Sequence, residues 1–201
     1  MLDTRDPILI ADAGPLIRLA AAGLLDSMRL TNRKIVIPDM VEEEAVTRRP
    51  EKPFAAEIGA WIASMGAAIE RAVTREGIYI GALRQKTATP EGAAALRKAL
   101  RDSGERAIRD YIEEVEPTDV DEVLVLHEDH GVERLMRASK APVRLMTTRA
   151  FVEMIAALGL NTDAVTALRA VERTYDVQPS VDVRLRPFGT IEDEADGPAP
   201  R

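Results

Sequence analysis

Short runs of consecutive apolar residues alternate along the chain with longer stretches in which apolar residues recur every three or four positions. The short runs, Ile8 to Ala11, Lys34 to Ile37, Glu122 to Leu126 and Val143 to Met146, are rich in β-formers, and each is followed by a turn signal, which predicts strands. A strand, a turn and then a helical period is the signature of βα units, so the expected fold class is α/β with a mostly parallel central sheet. After the first strand, Pro15 suits the first turn of a helix and Gly23 its end. After the second, Pro38 and Asp39 open a helix through VEEEAV. Thr147 or Thr148 caps a helix over RAFVEMIAAL, which Gly159 closes.

Between Pro50 and Asp102 the period predicts helices alone: PFAAEIGAWIASMGAAIERAV, then TPEGAAALRKALRD with Thr89 as cap and Pro90 in the first turn. NTDAVTALRAVERTYD predicts a last helix, and VDVRLRPF either an edge strand or a surface segment. The expected organisation is a single domain over 1–188, with a helical insertion at about 74–102, followed by an acidic, Pro/Gly-rich disordered tail over 189–201.

Composition narrows the chemistry. The chain has no cysteine, which excludes disulfides, thiolate metal sites and a cysteine nucleophile. No apolar run reaches the eighteen or so residues of a membrane span, and MLDTRDP lacks the features of a signal peptide, so a soluble, cytoplasmic protein with no membrane partner is expected. The net charge of -7 argues against a general nucleic-acid coat, but it hides a segregation. Residues 71–109 hold nine Lys or Arg against four acids, and residues 130–149 hold five against one. These runs read either as solvated helix faces or as a surface for an anionic substrate, with Arg97 and Arg101 as candidate contacts.

The acids carry the next step, because sites in parallel α/β sheets lie beyond the carboxyl ends of the strands. Asp12 ends the apolar run ILIA, and HEDH, residues 127–130, ends the third predicted strand with Asp129. Each of these two also reads as a simple helix cap. In GERAIRDYIEEV the apolar stripe is Ile108, Tyr111, Ile112 and Val115, and Glu105 stands on that stripe, either as a site residue or as the third-position partner of Asp102 in a capping box. Of the VEEEAV triplet, Glu44 is better spaced than Glu42 to point inward, and Glu43 remains an alternative. Four carboxylates at one sheet edge repel one another, and the usual remedy is a hard divalent cation, Mg²⁺ or Mn²⁺, held by Asp12, Glu44, Glu105 and Asp129. Zinc suits the set less well, since His127 and His130 are the only histidines.

DAGPLIRLAAAGLLD, IPDMVEEEAV, SGERAI, VLVLHEDHGVERL and VRLMTTRAFVEMIAALGL follow one another over residues 8–160, and in this order they resemble the PIN-domain nucleases, the fold of VapC-type toxins of toxin-antitoxin pairs. The resemblance implies a three-layer α/β/α sandwich and a Mg²⁺- or Mn²⁺-dependent ribonuclease with RNA as substrate. It adds Thr148 as a residue that orients the metal's water shell, and it implies an antitoxin protein and a second copy of the chain, in a homodimer, as partners. Two departures stand out: Gly14 where Ser or Asn is common, and HEDH in place of an acid pair followed by a basic residue.

No strand is followed by GxxxxGK[ST] or GxGxxG, and no serine has a nucleophile-elbow setting. Two functions follow: hydrolysis of RNA phosphodiesters through a metal-activated water, or a non-catalytic PIN-fold module that binds nucleic acid or protein.

Overall fold

A computed structural model describes residues 7–48, 54–128 and 139–174. The chain begins with β1 (Ile8–Ala11), α1 (Ala13–Ala21), a 3-10 turn over Leu25–Thr31 and β2 (Lys34–Pro38). It continues through α2 (Asp39–Glu42), a π turn (Glu43–Thr47), α3 (Ala55–Met65) and β3 (Ile69–Ala72). Three helices follow, α4 (Arg75–Arg84), α5 (Pro90–Ala99) and α6 (Ser103–Glu114), and then β4 (Val123–His127) and β5 (Val143–Thr147). The last described elements are α7 (Thr148–Ala157) and α8 (Ala164–Thr174).

The five strands form one parallel sheet in the order β3-β2-β1-β4-β5. Ile10 lies opposite Val36 on one side and Val125 on the other, so β1 is the strand from which the chain goes one way and later returns the other. That makes the end of β1 a topological switch point, where a crevice opens in folds of this kind. Every residue of β1 and β4 is buried, which is why these runs are apolar rather than alternating up to His127, the last residue of β4. α1 packs with α3, α7 and α8, whereas α6 packs with α2 and α4, and α4 carries α5. The result is the expected α/β/α sandwich.

β3 is a correction to the helix expected through residue 73. The helix stops at Met65, Gly66 turns the chain at φ 52°, and IERA then pairs with β2 as the sheet's edge. A short apolar run at the end of a helical period fits either state, and pairing with β2 decides it here. The segment VDVRLRPF and the tail lie outside the described residues.

The caps are mostly as the sequence suggests. Gly23 and Gly159, at φ 66° and 70°, close α1 and α7, and the Thr89 hydroxyl accepts the Gly92 N–H to start α5. Between the two threonines, Thr147 is the cap of α7: its hydroxyl accepts the Ala150 N–H at 3.2 Å. Thr147→Ala should therefore cost about 1 kcal/mol, lowering the melting temperature by about 3 °C. An unchanged melting curve would show that this bond carries no stability.

α4 and α5 are anchored by a small second core, Met40, Ile80 and Ala107, flanked by Leu96, Ala99 and Leu100. Two acids tie down the start of α4: Asp39 accepts the Thr74 hydroxyl at 2.7 Å, and the buried Asp110 accepts the Glu76 N–H at 2.8 Å. Gly77 is required beside them, because a Cβ there would stand 1.9 Å from Asp39 Oδ2.

Candidate active site

Asp12 follows β1 directly. Its N–H donates to the Leu126 carbonyl at 3.0 Å, extending the strand pairing, and its Oδ1 accepts the Ala13 N–H at 2.8 Å, capping α1. The cap and the position at the sheet edge coexist in one residue.

The VEEEAV acids are separated by a change of helical pitch. After α2 the backbone widens into a π turn, closed by the Arg48 N–H donating to the Glu43 carbonyl at 2.7 Å. Glu42 is held by Arg71 through two bonds of 2.8 and 2.5 Å. Its hydrogen bond and charge push the exposed Arg71 guanidinium above its usual pKa. Glu43 is the more buried of the next two, with a side chain 16% exposed against 35% for Glu44, but it is committed to Arg84 at 2.5 Å. Glu44 faces the start of α6.

What joins these parts is the bare backbone of Gly104. A Cβ placed there would lie 3.2 Å from Asp12 Oδ1, 3.3 Å from Glu44 Oε2 and 3.6 Å from Val41 Cγ2. Two carboxylate oxygens from different elements thus border the same small volume, which a side chain would fill.

Glu105 is the next residue, half-buried in the first turn of α6. The buried face of that helix is Ser103, Gly104, Ala107, Ile108, Asp110 and Ile112, so Glu105 stands on its flank, and the buried acid on the helix is Asp110. The capping box does not form: Asp102 is left-handed, at φ 52°, and its side chain makes no cap bond. Among the described residues no three His, Asp or Glu side chains are grouped as they would be to hold one metal ion. Asp129 and His130 lie outside the described residues.

Thr148 is fully buried at the start of α7, and its hydroxyl has no hydrogen-bond partner among the described residues. Its N–H donates to Glu128 Oε1 at 3.4 Å, and Glu128 Oε2 lies 3.5 Å from Arg18 Nη1. Sequence reasoning passed over Glu128 in favour of its neighbour Asp129. The signal for it was Gly14, where a Cβ would stand 3.2 Å from Glu128 Cγ; the small residue makes room for that side chain.

The basic run of residues 71–109 divides in the same way. Arg71, Arg75, Arg84, Arg106 and Arg109 are spent on Glu42, Asp110, Glu43, Glu76 and Glu113. Lys86, Arg97, Lys98 and Arg101 are exposed and make no ion pair among the described residues. The last three lie on α5 and on the short link to Gly104.

Comparison with families of known proteins matches residues 8–110 to the family described as PIN domain, half of the chain and the half that holds Asp12, Glu44 and Gly104. The chain belongs to the PIN-domain family. No curated protein and no solved structure matches it. The PIN domain is a nuclease-type fold, which implies a nucleic-acid substrate and agrees with carboxylates gathered beyond the central strands. No helix among its described residues is long and apolar enough to cross a membrane.

Proposed function

We propose that this PIN-domain protein is an endoribonuclease dependent on Mg²⁺ or Mn²⁺. The observation that carries the reading is the convergence of Asp12 Oδ1 and Glu44 Oε2 on the bare backbone of Gly104, beside the switch point of the sheet. The donors suit a hard ion: they are carboxylates, and the chain has no thiolate to favour a softer one. Asp12, Glu44, Glu105 and Asp129 would hold one or two ions, and the buried Thr148 hydroxyl would take a water of the ion's shell as its missing partner. The bound ion supplies an acidified water and charge stabilisation for in-line displacement at phosphorus.

The chain's own contribution is placement. Asp12 is fixed by the cap it makes, Glu44 by the π turn, and Arg97 and Arg101 offer phosphate contacts on the approach to Gly104. The motif order over residues 8–160 supports the finer reading of a toxin with an antitoxin partner. The alternative is a non-catalytic PIN-fold module that binds nucleic acid or protein. Incubation of RNA with the protein in Mn²⁺ and in EDTA separates the two: cleavage only in Mn²⁺ supports the nuclease, and intact RNA under both conditions supports the module.

Binding makes a separate prediction. Arg97→Glu with Arg101→Glu should weaken RNA binding and flatten its dependence on salt, by about 0.7 in the log-log slope for each phosphate no longer neutralised. Affinities measured at two salt concentrations check it, and an unchanged slope in the double variant takes α5 off the substrate path.

A further inference from the structure

Arg48 stands where the two halves of the candidate site meet. Its Nη2 donates to Ser103 Oγ at 2.8 Å and its Nη1 to the Leu100 carbonyl at 3.1 Å, which fixes the guanidinium against the start of α6. Its Nε is 3.5 Å from Glu43 Oε1, and Nη1 is 3.8 Å from Glu44 Oε2. Glu43 has a closer partner in Arg84, at 2.5 Å. For Glu44, Arg48 is the one cation with which it forms an ion pair among the described residues, and the oxygen concerned, Oε2, is the one that faces Gly104.

We infer that Arg48 is a built-in counter-cation that competes with the divalent ion for Glu44 and so sets how tightly the site binds metal. The inference rests on the metal-dependent reading of the site. Three features carry it. The guanidinium is a cation whose Nη1 stands 3.8 Å from Glu44 Oε2, the carboxylate oxygen that borders Gly104. Its side chain is 22% exposed, so water and salt screen it only in part. Its bonds to Ser103 and Leu100 restrain it from swinging away when an ion arrives. Without an ion, Arg48 offsets the mutual repulsion of Glu44 and Asp12; with one, two cations share a few ångströms and repel. An acid cluster guarded in this way stays folded without metal and fills only when metal is plentiful.

The test is calorimetric titration of Mn²⁺ into the full chain, with the wild type, Arg48→Gln and Arg48→Lys compared and folding checked by circular dichroism. Arg48→Gln should bind Mn²⁺ about tenfold more tightly, the effect of removing one nearby, partly screened charge. Arg48→Lys keeps the charge without the two-pronged contact and should bind nearly as the wild type does. Arg48→Met, which keeps the apolar stem, replaces the Gln variant if that one fails to fold. If the neutral variant binds no more tightly than the wild type, or if Lys tightens binding as much as Gln, the inference is overturned. If the wild type binds Mn²⁺ and Asp12→Asn does not, the metal reading survives such a failure. If neither the wild type nor the neutral variant binds Mn²⁺, the metal reading itself fails and the inference with it.

Discussion

Gly104→Ala is expected to remove Mn²⁺-dependent cleavage while leaving the protein at least as stable as the wild type. Gly104 is the second residue of α6 and has an ordinary helical backbone, so alanine suits the position, by up to about 1 kcal/mol in a helix interior and less at this end. The added methyl would stand 3.2 Å from Asp12 Oδ1 and 3.3 Å from Glu44 Oε2, so these oxygens must retreat by a few tenths of an ångström. Small hard cations tolerate little change, because their ligands sit at about 2.0 to 2.1 Å for Mg²⁺ in near-ideal octahedral geometry. The rate at saturating Mn²⁺ should fall at least about a hundredfold, which corresponds to about 2.7 kcal/mol of barrier. Rates and melting curves of the two proteins check both halves of the expectation. A fully active Gly104→Ala protein would place the chemistry somewhere other than the Asp12–Glu44 space.

The second large effect is at Asp12. Asparagine retains an oxygen that can accept the Ala13 N–H, and asparagine caps helices about as well as aspartate, so the start of α1 should survive the substitution. What disappears is one charge of the cluster. In EDTA the variant should melt no lower than the wild type, since it carries less repulsion. The wild type should gain about 2.7 kcal/mol from Mn²⁺ at a hundredfold excess over its dissociation constant, or roughly 5 to 10 °C for a domain of this size. The variant should lose that gain and the cleavage activity together. If Asp12 serves only as a cap, Mn²⁺ shifts neither melting curve, and the metal site loses its first ligand.

How much of this was legible beforehand depends on the range of the signal. The four strands read as apolar runs agree with β1, β2, β4 and β5 to within a residue at either end, because β1, β4 and most of β2 are buried on both faces and so lack the polar alternation of a half-exposed strand, with Lys34, His127 and Arg144 as the polar positions. The cap glycines and Thr89 were legible for a similar reason: a left-handed turn or a hydroxyl cap is a property of two or three neighbouring residues. β3 was not legible, since IERA acquires its state only from β2. Nor was the failure of the capping box, where Asp102 takes a left-handed backbone that spacing does not announce.

The same division runs through the candidate site. By itself the sequence determined an α/β fold with a mostly parallel sheet, with Asp12 at the end of its first strand and acids near the ends of others, since strand, turn and cap signals are local and the edge follows from their order. The choice among acids was decided only in three dimensions. Glu42 and Glu43 are taken by Arg71 and Arg84, which lie 29 and 41 residues away along the chain, and Glu44 is turned toward Gly104 by a π turn. The same holds for the cations: charge counting marks the whole of 71–109, but pairing removes five and leaves Lys86, Arg97, Lys98 and Arg101 exposed. Which carboxylate meets which cation depends on distances between elements remote in sequence, and periodicity along the chain carries no information about those distances.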